Sequence, residues 1–306
     1  MPAILNYATA YQQALQQRYA ANGSLYSQRL WNSPSNSIIK WTGQKTVKLP
    51  KLLISGGRKD RARRTITTPE ANYENQWETY ELTNERYWDT LVDPLDIDET
   101  NFVTSIANIT RVYNDEEKIP EMDKQMFSSL YARKVALDGA GSIKELALTT
   151  ANILGAFDDL MTAMDEAEVP MEGRVLYVTP TVKRILKNAE GVARSVSVQN
   201  NNQVIDRRVA RLDEVELLNV PSTRFKTLYD FTVGAKDAVG AKQISMMLIH
   251  IPAMAAPQKY SKVMLDQPSA VTSGNYLYYE QSYDDVIVFE TKSDGIAFVV
   301  EPAVGG

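Results

Sequence analysis

The hydrophobic pattern changes its period within the stretch from Trp77 to Gly139. Polar and apolar side chains alternate from Trp77 to Leu82, which is typical of a β-strand. Further along, apolar residues recur at helical spacing, and these are Phe102, Ile106, Ile109 and Tyr113. One face of this segment is therefore apolar, and we predict an amphipathic helix whose start is capped by Asp98 or Thr100.

A second helix is predicted directly after the first. Pro120 suits its first turn, where the missing backbone N–H removes no hydrogen bond. Its buried face consists of Met126, Phe127, Leu130 and Tyr131. Gly139 is placed to end this helix in a left-handed conformation. A strand that leads into two tandem helices would form a rigid spine.

Residues 39–84 are predicted to form a long two-stranded excursion. The first strand falls within Ile38–Ile54, and Pro50 favours an exposed edge because proline cannot donate to a neighbouring strand. The turn region begins at Ser55, and Gln76–Leu82 is the return strand. An isolated hairpin is not stable in water, so we expect it to pack on another surface, such as a neighbouring subunit.

The N-terminal residues are predicted to depend on a partner surface. Residues 4–22 favour a helix with a thin apolar stripe, which is marginal by itself. Residues 23–38 are rich in Gly, Ser and Asn, which favours an extended arm. A frayed terminus would have the same composition.

The C-terminal half contains both helices and strands. A capping box from Ser142 to Glu145 predicts a helix that continues through Met164. A later helix is capped by Thr179 and runs through Lys187. The predicted strands are Arg174–Val178, Val209–Leu218, Ile244–Ile251 and Ile296–Val300, with a long pair at Tyr276–Tyr279 and Val286–Phe289. These elements indicate an α+β chain with a compact α/β unit between residues 170 and 250.

Composition and charge narrow the possible functions. The chain has 306 residues, which favours one large domain or two modest ones, and its lack of Cys excludes disulfides and thiol nucleophiles. Its apolar runs are far shorter than the ~20 residues that cross a bilayer. The net charge is −5, yet residues 48–64 hold seven basic residues and one acidic residue, a local +6, so the remainder carries −11.

This basic segment is the main candidate for an intersubunit contact. The candidate residues are Arg58, Lys59, Arg61, Arg63, Arg64 and the aromatic Trp77. A basic segment on an acidic body favours contact with an acidic surface, including a second copy of the chain. A solvated loop is the alternative. Binding of nucleic acid phosphates is less favoured, because no aromatic residue lies within the segment to stack on bases.

Other candidate sites fit structural roles better than chemical ones. His250 is the single histidine and lies on an apolar strand, so a core or edge position is favoured over a catalytic triad. Gly139 and Gly141 follow a helix rather than a strand, unlike a phosphate-binding loop. The acidic residues between 93 and 99 lack the spacing of a calcium loop and suit a helix start. We therefore predict no catalytic, metal-binding or cofactor-binding residues.

Several short segments are similar to one family of proteins. They are Tyr80-Glu81-Leu82, Arg86, Leu95–Thr100, Ile119–Asp123, Val175–Pro180, Glu216–Arg224 and Tyr279–Phe289 with Asp284-Asp285. In this order they resemble the major capsid proteins of tailed bacteriophages, which have the Hong Kong 97 phage shell fold. The resemblance extends over most of the chain from residue 76 onward and depends on the order of the segments rather than on a single motif.

The resemblance implies a division of the chain into four parts. Residues 1–38 would be an N-terminal arm, and residues 39–84 an extended loop that lies over the adjacent subunit. A peripheral domain with the spine helices would comprise 85–169 and 252–290. An axial domain would comprise 170–251 and 291–306.

The function that the resemblance implies is structural rather than enzymatic. The chain would assemble with itself, as hexamers and pentamers, into an icosahedral head shell that encloses phage double-stranded DNA without sequence-specific binding. A separate scaffolding protein and a portal would be its partners, and assembly would take place in the host bacterial cytoplasm. An encapsulin-like protein compartment is the nearest alternative, and an α/β hydrolase or binding module is the alternative from a different class.

Overall fold

The computed structural model describes residues 24–43, 45–61, 63–64, 66, 71–99, 105–189, 209 and 211–302. The predicted helix at residues 4–22 lies outside this part of the chain, as do Thr100 and Phe102. The α-helices are α1 (Gln28–Trp31), α2 (Pro94–Glu99), α3 (Ile106–Tyr113), α4 (Ile119–Asp138), α5 (Ile153–Glu166) and α6 (Pro180–Asn188).

Strands occur along the whole described chain. In the first half they are β1 (Lys40–Trp41), β2 (Thr46–Ile54), β3 (Tyr73–Glu81), β4 (Asn84–Val92), β5 (Lys144–Glu145) and β6 (Arg174–Val178). In the second half they are β7 (Arg211–Leu212), β8 (Val215–Asn219), β9 (Tyr229–Asp230), β10 (Lys236–Asp237), β11 (Ile244–His250), β12 (Met254–Ala255), β13 (Gln258–Asp266), β14 (Tyr276–Asp284), β15 (Ile287–Val288) and β16 (Ile296–Val300).

A central mixed sheet has the strand order β5-β16-β11-β6-β8-β7. β6 is parallel to β8 and antiparallel to β11, which is antiparallel to β16. Every residue of β6 is buried, as its continuous apolar run predicts. The strand predicted at Val209–Leu218 is instead two antiparallel strands, β7 and β8, because the chain turns at Asp213, where φ is +51°.

Two hydrophobic cores lie on opposite faces of this sheet. Successive residues of a strand point to opposite faces. On β6, Val175 and Tyr177 therefore join a core that includes Phe127 of α4. Leu176 and Val178 join a second core that contains the apolar faces of α5 and α6. The central sheet is thus enclosed between the spine on one side and two helices on the other.

The two predicted tandem helices are present as α3 and α4, with Pro120 in the first turn of α4, and together they form one continuous spine from Ile106 to Asp138. α3 and α4 are joined by five residues in π-helical conformation, Asn114–Lys118. The Ile119 N–H accordingly bonds to the Asn114 carbonyl, five residues back. A proline inside an α-helix loses a hydrogen bond and clashes with the carbonyl four residues before it. The wider π turn directly ahead of Pro120 relieves this clash.

The start of the spine differs in detail from the prediction, and its end agrees with it. Asp98 lies inside the short helix α2 and does not cap α3, which is preceded by Ser105 in an extended conformation. Gly139 does end α4, and its φ is +80°. This positive φ lies in the left-handed region that favours glycine, as predicted, and the ψ of 165° is extended.

The helix predicted from the Ser142–Glu145 capping box begins later in the chain. β5 occupies Lys144–Glu145, pairs in parallel with β16, and is followed by a hydrogen bond from the Leu146 N–H to the Val300 carbonyl. α5 begins only at Ile153. A local cap contributes about 1 kcal/mol, so backbone pairing at the sheet edge outweighs it here.

The prediction of an extended arm is wrong for residues 24–38. α1 and a 3-10 turn, Pro34–Ile38, pack onto the body, and Leu30 and Trp31 are buried in the core beneath the spine. The Ser33 hydroxyl donates a hydrogen bond of 2.7 Å to the Met254 carbonyl. The described N-terminal segment is therefore part of the folded subunit.

A buried carboxylate, Asp123 of α4, holds this segment in place. It is fully buried and accepts hydrogen bonds from the Ser27 N–H (2.8 Å), the Ser27 hydroxyl (2.7 Å) and the Tyr26 N–H (3.3 Å). The Arg224 guanidinium donates a further bond at 2.9 Å. Burial raises the pKa of Asp123, and the bonds from Ser27 and Arg224 oppose that effect. Three distant parts of the chain therefore meet at one side chain.

A long three-stranded sheet, β13-β14-β4, projects from the spine. The predicted pairing of Tyr276–Tyr279 with Val286–Phe289 is wrong, because β14 pairs with β13 and β4 while β15 pairs with β12. The chain leaves the long sheet at Asp285, whose N–H bonds to the Pro257 carbonyl and whose carboxylate accepts from the Thr83 N–H. This anchor separates β14 from β15.

Polar and aromatic contacts attach the long sheet to the spine. The ring of Trp88 on β4 stacks on Tyr113, with 3.9 Å between ring centroids. Ion pairs join Arg86 to Glu121 at 2.7 Å, and Lys118 to Glu280 at 3.1 Å. A cavity of about 440 Å³ remains between the two elements. We call these contacts and the cavity the polar junction.

Asp284 of β14 lies in the polar junction with a pKa that burial raises to about 6. Hydrogen bonds from Asn84 and Gln125 lower the pKa, whereas the negative charges of Asp285 and Glu121 raise it. This folded-state pKa exceeds the value of about 3.9 that an unfolded Asp has. The folded state therefore holds the proton more tightly, and this group lowers the free energy of unfolding as pH rises between the two values.

Replacing Asp123 by Ala should lower the free energy of unfolding of the free subunit by about 3–5 kcal/mol, because it leaves Arg224 buried without its partner. Urea unfolding measures this change. Ser27→Ala is the matched control, since it removes one donor and should cost only about 1–2 kcal/mol. Equal losses in the two variants would contradict the role assigned to Asp123.

Asp284→Asn should remove a pH dependence that the wild-type subunit shows. The free energy of unfolding of the wild-type subunit should fall by about 1–3 kcal/mol between pH 4 and pH 7, because Asp284 loses its proton in this range. The Asn side chain of the variant has no proton to lose. Urea unfolding at both pH values gives the comparison. Asp266→Asn, an exposed change on the neighbouring strand β13, should leave the wild-type pH profile intact. If Asp284→Asn and wild type show parallel profiles, Asp284 is not the titrating group.

Candidate functional site

The predicted hairpin is present as β2 and β3, each nine residues long. Their register pairs Thr46 with Glu81 at the base and Ile54 with Tyr73 at the far end. β1 pairs with the base of β2, at Val47 and Lys48. Within the described chain one side of β2 is therefore unpaired at Pro50, as predicted for a proline at an exposed edge.

The base of the hairpin is fixed to the subunit. Val47 and Leu49 are buried against Ile287 in a small third core. Lys51 bonds to Glu78 on β3 at 2.8 Å and to Glu290 on the body at 2.7 Å. These contacts hold the base rigidly, and they end before the last three residues of β2.

The far half of the hairpin exposes large apolar side chains. Leu52 is 64% exposed, Ile54 is 76% exposed and Tyr73 is 72% exposed. A soluble monomer seldom presents such side chains together on an isolated ribbon. We call Leu52, Ile54 and Tyr73 the hairpin patch. No other part of the described chain covers this surface.

The basic residues proposed for intersubunit contact follow the hairpin patch directly. Arg58, Lys59 and Arg61 are exposed, as are Arg63 and Arg64. Trp77 is set apart from them, since it lies four residues down β3 from Tyr73 and opposite Pro50. It is 42% exposed, and the Lys40 ammonium lies 4.6 Å from its ring centroid. The five basic residues therefore lie in the segment beyond the far end of β2, which we call the basic tip, whereas Trp77 lies within β3.

A second exposed apolar surface, which the sequence reasoning missed, lies on the long sheet. On the face turned away from the spine, Tyr87 is 68% exposed and Leu91 is 59% exposed. Tyr87 stacks on Tyr279 with 6.0 Å between centroids, and Met264 lies opposite Tyr279 on β13. We call these four residues the outer sheet face. The sequence signal that could have revealed this strand is the alternation along residues 84–92. Every second side chain there points towards the spine, and these are Arg86, Trp88, Thr90 and Val92.

The other sequence candidates have structural roles. His250 ends β11, and burial lowers its pKa, so the neutral imidazole is favoured. Gly139 and Gly141 join α4 to a short 3-10 turn. Asp93 accepts a hydrogen bond from the Leu95 N–H at the start of α2, as expected for a helix-start acid.

Metal binding and membrane insertion find no support among the described residues. Within that part of the chain, no group of three or more His, Asp or Glu side chains is arranged to hold a metal ion. No helix there has the length and apolar character to cross a membrane.

The comparison with protein-family models gives no match, and neither does the comparison with curated protein sequences. Solved structures do match in fold. A subunit of the mature capsid of bacteriophage PhiM1 superposes with a TM-score of 0.63 at 14% identity, covering 85% of this chain and 83% of that one.

Two further structures align over nearly the whole chain. A Mycobacterium phage Che8 structure has a TM-score of 0.58 at 14% identity and covers 98% of this chain and 96% of its own. The capsid of Ralstonia phage GP4 has a TM-score of 0.59 at 10% identity and covers 100% of this chain and 97% of its own. At such low identity the likeness concerns the fold. The chain therefore has the α+β shell fold of phage capsid subunits, the Hong Kong 97 fold that its sequence resembles.

Proposed function

We propose that this chain is the major capsid protein of a tailed phage, which assembles into an icosahedral head shell around double-stranded DNA. The shared fold supports this role, and the hairpin patch is the observation that carries it. Leu52, Ile54 and Tyr73 stand on a ribbon whose base is fixed and whose far half has no support from the described chain. Another copy of the subunit supplies the missing cover.

The contact between copies is heterologous in this proposal. The hairpin patch of one subunit packs on a different surface of its neighbour, and the outer sheet face has suitable apolar character. Such a contact repeats from copy to copy and produces rings where the rotation closes. Hexamers and pentamers of a shell are closed rings of this kind. The basic residues Arg58, Lys59, Arg61, Arg63 and Arg64, with Trp77, add charge and aromatic contacts to the same interface.

The remaining features of the proposal follow from the shell role. The protein has no catalytic activity and no cofactor, and it encloses DNA without reading its sequence. It works with a separate scaffolding protein and a portal, and assembly takes place in the host bacterial cytoplasm. Residues 85–169 and 252–290 serve as a peripheral domain, and residues 170–251 and 291–306 as an axial domain. Residues 39–84 extend from one subunit to the next.

Limited trypsin digestion tests the role of the hairpin. Few buried contacts oppose local opening of the far half in the free subunit, so trypsin should cut first at Arg58, Lys59, Arg61, Arg63 or Arg64. In assembled shells a neighbour covers the hairpin, and these sites should be cut much more slowly. The spine helices, which also contain Lys and Arg, should survive in both states. Mass spectrometry of the first fragments identifies the cut sites.

A variant with all five basic residues changed to Ser provides the control. It should lose the early fragments in the free subunit, and its shells should form less readily because exposed ion pairs contribute up to about 1 kcal/mol each. Equal cleavage rates in free and assembled wild-type subunits would show that the hairpin is not an intersubunit element. Particles that hold protein rather than nucleic acid would instead favour a protein compartment.

A further inference from the structure

We propose that α5 and α6 form the two halves of a charged contact between neighbouring copies, in which the basic α6 of one subunit binds the acidic α5 of the next. This inference rests on the proposed shell function and names the partner surfaces within it. Both helices lie on the same side of the central sheet, opposite the spine.

α5 carries only negative charge. The segment from Ile153 to Glu168 contains five acidic residues and no basic residue. Asp159 pairs with Lys144, and Asp165 pairs with Arg174 at 2.7 Å. The other acidic residues are Asp158, Glu166 and Glu168, which are exposed and form no ion pair with a described residue.

α6 carries only positive charge. Its nine residues include Lys183, Arg184 and Lys187 and no acidic residue. Arg184 is exposed, whereas Lys183 and Lys187 are half-buried. Within the described chain these three side chains form no ion pair. Val182 and Leu186 point into the core, so the cations occupy the outward side of the helix.

The two helices lie towards opposite edges of the central sheet. The Lys144–Asp159 pair places α5 against β5, which is one edge strand. α6 connects the parallel strands β6 and β8, and such a crossover helix packs over the strands that it joins. β8 is next to β7, the other edge strand. The layer of helices on this face of the central sheet therefore has an acidic side and a basic side.

A second copy is the partner that fits this arrangement. Asp158, Glu166 and Glu168, which form no ion pair with a described residue, carry a total charge of −3, and the three cations of α6 carry +3. Copies arranged head to tail bring the two into contact at every step, and opposite charges across an interface favour the correct orientation. A twofold axis that brings two identical edges of the sheet together would instead place like charges opposite each other.

Charge reversal tests the contact. In the first variant Lys183, Arg184 and Lys187 are changed to Glu, and in the second Asp158, Glu166 and Glu168 are changed to Lys. Each should lower the yield of sedimenting particles from the full chain by about tenfold or more, since like charges replace three ion pairs at each contact. The third variant carries both sets of changes and has the wild-type net charge. It should restore the yield, because the opposite charges again meet across the interface.

The outcomes separate this contact from the shell function itself. If the wild-type protein forms particles but the third variant, with both sets of changes, does not, the proposed contact between α5 and α6 is wrong while the shell function stands. If the α6 variant assembles normally but encloses less DNA, α6 faces nucleic acid instead, and the contact is again wrong. If the wild-type protein forms no particles under any condition, the shell function fails first. Circular dichroism of each dissociated variant confirms that the subunit is folded.

Discussion

The structure depends on the buried carboxylate of Asp123. A charge in the protein interior is stable only when its oxygens are fully hydrogen-bonded, and Asp123 has donors from Tyr26, Ser27 and Arg224. These donors lie about a hundred residues from Asp123 on either side along the chain. Because the three segments must meet to satisfy one group, the N-terminal segment, the spine and the α/β unit fold as a single body. The aromatic core around Phe127 lies directly next to this site on α4.

The rigid body gives the hairpin its fixed base. The N-terminal segment that Asp123 holds leads into β1 and β2, and Ser33 and Lys51 tie that region to the rest of the subunit. Beyond Lys51 the support ends, so the hairpin patch and the basic tip extend from a stable platform. The long sheet is attached differently, through ion pairs and one aromatic stack at the polar junction. A self-assembling subunit requires uncovered surfaces that are held in defined positions.

Elements with a strong, uninterrupted pattern could be predicted from the sequence. The buried strands β6, β11 and β16, the helix α4 and the pairing of β2 with β3 all follow from local periodicity. The start of α6 could also be predicted from Thr179 as the capping residue. In the structure its hydroxyl accepts a hydrogen bond from the Val182 N–H. The overall α+β fold follows from these elements and from the resemblance in the order of short segments.

The errors arose where distant contacts outweigh local signals. Residues 24–38 have the composition of an extended arm, yet their side chains Leu30 and Trp31 are buried in the core. The capping box at Ser142 does not start a helix, because Lys144 and Glu145 pair with β16 instead. β4 and β13 were missed because both faces of each strand mix polar and apolar side chains, which obscures the alternation. The charges of α5 and α6 are visible in the sequence, but their positions at opposite edges of one sheet follow only from the strand order.

Electron microscopy of the full chain, expressed alone and with any neighbouring scaffolding gene product, tests the central claim most directly. Closed particles are expected, in which the hairpin of each subunit lies on an adjacent copy and the far half is covered. Discrete subunits under both conditions, or particles in which the hairpin patch points into solvent, would contradict the central claim.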